Sequence, residues 1–261
     1  MPDENKFKVL VCPLDWGWGH AARMIPVIQT LREYNFQVVL GLSGDSGELL
    51  KEEFPELPFI KLVSKNIRYS KRKSQVFSIF WQLPGLIYTV YKENRQLKKI
   101  LSQQHFDLVI SDNRYGLWNS SVYSIFITHQ LWIKFPSGLK WLEGIFNYIQ
   151  NRLLCKFSEC WVPDDREHYN LSGELSLIRS KELKTHEIGL LSRFKENGNT
   201  SDNAEKRYDV LVLLSGPEPQ RSIFENIVEK QIRETGLKVC FILGTRRRKI
   251  IQNSEKVEFV N

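Results

Sequence analysis

Cysteine is scarce in this chain: four in 261 residues, with no CxxC pair among them. That scatter excludes a disulfide framework and a cysteine zinc site. Cys12 and Cys240 fall inside apolar runs, as the reduced, buried thiols of a cytoplasmic protein would. There are five histidines, and no two have metal-ligand spacing; no Ser-His-Asp order is legible either. No stretch reaches the roughly 20 apolar residues that a spanning helix requires. The polar start Met-Pro-Asp-Glu-Asn-Lys lacks the form of a signal peptide. A soluble or peripheral protein of the cytoplasm, on the inner membrane face if bound there, is expected. No solenoid-type repeat occurs.

What is present is ordinary globular composition: 42% hydrophobic and 26% charged residues, which excludes a disordered chain. At roughly 150 residues per domain, the length gives a little under two domains. Lys and Arg number 37 against 30 Asp and Glu, a net charge of +7. A basic balance suits nucleic acid, an anionic membrane surface or phosphorylated substrates. No RNA-reading motif is present and the aromatics are not arrayed for base stacking, so nucleic acid is not an expected partner.

The first forty residues read as a βαβ unit. Phe7 to Pro13 is a short apolar run, Met24, Val27, Ile28 and Leu31 recur at helical spacing, and Gln37 to Leu42 is a second strand. Further strands are expected at Phe59 to Val63, Asp107 to Ser111, Val122 to Thr128 and Glu159 to Pro163, with a long helix over Trp141 to Phe157. The fold class is α/β, with a parallel-sheet, Rossmann-type domain over 1–191. Residues 192–207 are polar and aperiodic and read as a linker. From Tyr208 the cycle restarts as strand, turn, helix and strand, so 208–261 reads as the opening of a second Rossmann-type domain.

In an open parallel sheet, ligands bind where strand carboxyl ends meet helix N-termini. Two such loops stand out. Asp15-Trp16-Gly17-Trp18-Gly19-His20 joins the first strand to its helix. Gly17 and Gly19 allow close backbone approach, the helix start suits phosphate, and Arg23 is one turn further on. At that helix start the positive field favours a neutral His20, able to accept a proton. The loop lacks the third glycine of a dinucleotide fingerprint and the Gly-Lys-Ser/Thr of a P-loop. The second loop, Ser215 to Arg221, offers Ser215 and Gly216 to a diphosphate. Asp112 and Arg114 in the run Ser111 to Gly116, and His129 after the next strand, open on the same edge as His20. They are candidates for orienting a base or binding a substrate hydroxyl or phosphate; a turn cap for Asp112 and an interior histidine for His129 are the alternatives. The aromatic run Val76 to Tyr91 lies between basic clusters, and 68–99 fits either an anionic membrane surface or a core helix with solvated ends.

Gly17-Trp18-Gly19-His20-Ala21-Ala22-Arg23 after a first strand resembles the Gly-x-Gly-His-x-x-Arg loop of GT-B glycosyltransferases. It is similar to the group containing the peptidoglycan-lipid N-acetylglucosaminyltransferase. The resemblance spans the chain. It implies transfer of a sugar from a nucleotide-diphosphate sugar, such as a UDP-sugar, to a sugar or lipid-linked acceptor. His20 would be the general base and inversion the outcome, with no obligatory metal or other cofactor. It further implies a C-terminal donor domain that is truncated here, completed by a second chain if at all. A nucleotide-sugar hydrolase of the same fold, or a non-catalytic remnant or partner subunit, are the alternative readings.

Overall fold

The computed structural model describes residues 7–63, 75–165, 168, 170–177, 180, 182–194, 206–216, 218–244 and 257–260. They form two compact units, each with its own parallel sheet.

In the first unit the elements run β1 (Lys8–Cys12), α1 (Trp18–Glu33), β2 (Gln37–Leu42), α2 (Gly44–Glu53) and β3 (Phe59–Lys61). Then come α3 (Gln75–Gln103, of which 83–103 belongs to this unit), β4 (Leu108–Asp112), β5 (Tyr123–Ile127), α4 (Trp141–Leu154), β6 (Glu159–Val162) and β7 (Thr185–Glu187). The seven strands lie in the order β3-β2-β1-β4-β5-β6-β7. All pair in parallel. The chain order reverses between β1 and β4, which is where a crevice opens at the carboxyl edge of such a sheet.

Strand composition explains the two-sided burial. In β1, Val9 and Val11 enter the core beneath α1 and α2, while Leu10 and Cys12 enter the core beneath α3. Both faces are covered, so the strand reads as a continuous apolar run rather than an alternating one. Gly41 in β2 is forced by space: a Cβ there would stand 2.5 Å from Cys12 Sγ and 2.8 Å from Leu62 Cδ1. Helix α1 buries Ala21, Met24, Ile25 and Ile28 on one stripe against the sheet.

Strands β1 to β6 and the helix over Trp141 to Leu154 fall where the sequence places them, to within a few residues. Three elements were not foreseen: α2, β7 and β10. The aromatic run Val76 to Tyr91 lies within one continuous helix, α3, with Pro84 inside it. Residues 68–74, part of the basic stretch singled out above, lie outside the described residues. Among the described residues, no helix is long and apolar enough to cross a membrane.

The second unit contains β8 (Val210–Leu213), α5 (Gln220–Arg233), β9 (Val239–Ile242) and β10 (Val257–Val260). Its strands pair in parallel in the order β10-β9-β8. The core is formed by Val212, Leu214, Val239, Phe241, Leu243 and Val257, with Val228 and Ile232 of α5 packed on it.

Candidate active site

Strands β1, β4 and β5 are neighbours, so the segments that follow them meet at one edge. Gly17 opens α1 with φ at 101°, a left-handed value that glycine adopts without strain. A Cβ on Gly17 or Gly19 would meet nothing within 4 Å, so the backbone at this helix start borders open space. His20 sits in the first turn of α1, which carries no acidic residue.

Asp112 ends β4 and is fully buried, yet it faces two donors. Its Oδ2 lies 2.9 Å from His20 Nδ1, and its other oxygen accepts from Arg23 Nη2. Arg23 Nη2 also approaches His20 Nδ1 at 3.0 Å. A guanidinium only donates, so these two nitrogens cannot hydrogen-bond each other while both serve the carboxylate. The consistent assignment puts the proton of His20 on Nδ1, donated to Asp112. Nε2 is then left as the acceptor. A buried carboxylate with an arginine on one oxygen and an imidazole N–H on the other is the usual means of fixing a histidine tautomer.

Arg23 reaches further. Its Nη1 donates to His129 Nδ1 at 3.2 Å, at the end of β5. His129 is exposed, but the protein packed against one side of its ring holds its pKa below the usual histidine value. The Arg23 guanidinium and His20 add to that effect. A neutral His129 is the form that can accept from Arg23. Arg23 Nε is buried and has no partner among the described residues.

His20, Arg23, Asp112 and His129 are therefore brought together, bordered by Gly17 and Gly19. Two other expected residues are engaged within their own units. Arg114, a candidate for orienting a base or binding a substrate hydroxyl or phosphate, has its side chain buried and committed to the protein. It donates to Pro13 O at 3.3 Å, Ser43 Oγ at 2.8 Å and Val63 O, and pairs with Glu93 Oε1 at 3.0 Å. The guanidinium thus ties the ends of β1, β2 and β3 to α3. Burial raises the pKa of Glu93, and Arg114 partly offsets that. Arg221 in the second unit is likewise committed. It donates to Glu218 at 2.7 Å and to Leu243 O at 3.0 Å, and contacts Glu225 at 3.3 Å. Both arginines are held by carboxylates and backbone carbonyls of the protein itself. Ser215 and Gly216 are exposed between β8 and α5, and Gly216 has φ at 96°.

Two features of this edge are not apparent from the sequence pattern. Asp15 is buried and accepts from Ser46 N and Oγ, each at 3.3 Å. Gly44 is obligatory beside it, since a Cβ would stand 1.7 Å from Asp15 Oδ2. The other is Glu93. Its signal was available: it is the only acidic residue between Glu56 and Asp107, inside a basic and aromatic stretch. A lone acid there invites a search for a buried cation.

Strand order, the crevice at β1 and β4, and a second parallel sheet together specify the architecture. The fold is GT-B. No protein-family model and no curated protein matches the sequence. Solved structures do. The glycosyltransferase SnogD from Streptomyces nogalater matches with a TM-score of 0.58 at 10% identity, covering 98% of this chain and 72% of its own. Phytolacca americana UGT2, complexed with UDP-2-fluoro-glucose and pterostilbene, matches at 0.57 and 10% identity, covering 98% and 71%. Arabidopsis thaliana UGT89C1, complexed with UDP-L-rhamnose, matches at 0.53 and 15% identity, covering 98% and 69%. Across eight such GT-B structures the chain spans between 60% and 72% of their length.

Proposed function

We propose that this chain is a glycosyltransferase that moves a sugar from a nucleotide-diphosphate sugar to an acceptor hydroxyl, with His20 as general base and inversion at the anomeric carbon. One observation carries the reading. Asp112 fixes His20 with Nδ1–H inward and Nε2 free, at a glycine-bordered helix start on the crevice edge of a GT-B fold.

The steps follow from that geometry. Nε2 takes the proton of the acceptor hydroxyl as its oxygen bonds to the anomeric carbon. The bond to the nucleotide diphosphate breaks, and that group departs with the electron pair. Asp112 stabilises the imidazolium formed, and Arg23 holds the carboxylate in orientation. The exposed N–H groups beginning α1 suit an anionic group of the reactants, as Ser215 and Gly216 do in the second unit. UDP-L-rhamnose and UDP-2-fluoro-glucose in two of the similar structures support a nucleotide-sugar donor.

Release of nucleoside diphosphate from a panel of nucleotide sugars, with and without acceptor alcohols, tests the reading. His20→Ala and His20→Gln should abolish turnover while leaving donor affinity intact. Turnover that survives both substitutions would eliminate His20 as the base. Release that is unchanged by any acceptor would reassign the reaction to hydrolysis.

A further inference from the structure

Arg23 lies between two imidazoles and leaves them in opposite states. Its Nη1 donates to His129 Nδ1 at 3.2 Å, and a guanidinium cannot accept. His129 Nδ1 is therefore bare, and the neutral ring carries its hydrogen on Nε2. His20 is the reverse: Nδ1–H serves Asp112 at 2.9 Å, and Nε2 is bare. One edge of the sheet thus presents an acceptor nitrogen on His20 and a donor N–H on His129. Among the described residues, neither Nε2 has a hydrogen-bond partner.

The backbone that carries His129 is pinned on both sides. Thr128 N donates to Trp161 O at 3.0 Å, and Gln130 N to Thr128 Oγ1 at 3.0 Å. Gln130 O accepts from Gln150 at 2.7 Å. The ring is presented by a strand end rather than by a loose loop, which is what precise placement needs.

Charge selects what such a ring can bind. Arg23 and His20 oppose its protonation, Asp112 and Asp164 favour it, and burial of part of the ring tips the balance to the neutral form. A phosphate at Nε2 would draw a proton onto the ring, and that proton would sit on Nδ1, facing Arg23. A hydroxyl oxygen makes no such demand and accepts from the neutral N–H as it stands. A neutral imidazole donating to a substrate oxygen is an attested arrangement.

We propose that His129 selects the acceptor: its Nε2–H donates to a second hydroxyl of the molecule whose first hydroxyl gives its proton to His20. The acceptor is then a polyol with two neighbouring hydroxyls, because both rings meet one guanidinium. A monohydric alcohol is the poorer substrate. The inference rests on His20 being the base of a transfer reaction and adds a role that transfer alone does not require. Arg23 is a positioning residue, setting the hydrogen of His129 without touching the acceptor.

The test has two readouts. Nitrogen chemical shifts of His129 at about pH 8 should show the Nε2–H tautomer, and Arg23→Met should let the Nδ1–H form appear. Titration with trans-cyclohexane-1,2-diol, without any donor, should move the His129 Nε2–H resonance. A native Nδ1–H tautomer, or a resonance that the diol leaves unmoved, overturns the proposal whether or not sugar is transferred. In turnover with the nucleotide-sugar panel, the diol should exceed cyclohexanol in kcat/KM by about tenfold to hundredfold. His129→Phe removes the donor and keeps a ring, so that ratio should fall to about one; His129→Gln supplies an N–H and should restore part of it. A ratio that His129→Phe leaves unchanged overturns the proposal while His20 stands as base. Failure of the transfer reading looks different: turnover would survive His20→Gln with either alcohol.

Discussion

Asp112→Asn exchanges one oxygen for an amide nitrogen and keeps the side-chain volume. The native carboxylate receives His20 Nδ1–H at 2.9 Å on one oxygen and Arg23 Nη2–H on the other. Asparagine offers a single acceptor for those two donors. Arg23 cannot give up a proton, so it keeps the oxygen and the amide N–H turns towards His20. The imidazole must then accept at Nδ1 and hold its hydrogen on Nε2, where it can no longer take a proton from an acceptor. The wrong tautomer in a comparable histidine–carboxylate pair costs about 10⁴ in turnover, and a loss on the order of 10³–10⁴ is expected here. Stability should fall as well. Losing one charge of a buried pair costs about 3–5 kcal/mol, and retention of one hydrogen bond to Arg23 reduces that to about 2–3 kcal/mol. Nitrogen chemical shifts of His20 report the tautomer without any substrate, and urea unfolding gives the stability. A variant that keeps the Nδ1–H tautomer, unfolds at the native urea midpoint and turns over normally would refute the role assigned to Asp112.

Arg114→Met should destabilise the protein by about 3–5 kcal/mol in urea, because Glu93 is left buried without its cation; adding Glu93→Gln should restore part of the loss. Burial pushes the thiols of Cys12 and Cys160 up to about 12. A thiol reagent at about pH 8 should therefore leave both untouched in the native protein and label all four cysteines once it is unfolded. His129 has its native pKa held below 6.5 while the unfolded chain keeps the ordinary value. The unfolded state then protonates first on acidification, so stability should decline as the pH drops through that window, and His129→Gln should flatten that part of the pH–stability curve.

The core strands were legible because burial on both faces leaves a compact signature of β-branched and aliphatic residues. Strand β7 and helix α2 escaped for the opposite reason. Thr-His-Glu at β7 has no apolar pattern, and it forms a strand because β6 offers it an open edge. Helix α2 begins Gly-Asp-Ser-Gly, which reads locally as a turn; burial of Leu50 and the Asp15–Ser46 contact carry it into a helix.

Among the site residues, the sequence by itself determined that His20 follows two glycines at a helix start and that Asp112 ends an apolar strand. Those are local facts, set by spacing and strand composition. Only the tertiary structure decided which charged groups are spoken for. Arg23, in the helix after β1, and Arg114, two residues past β4, both read in the chain as candidate anion binders. One lies within reach of His20, Asp112 and His129; the other fills the space between three strand ends and α3. An arginine's role depends on which acceptors converge on it, and those come from residues as far as 106 positions away.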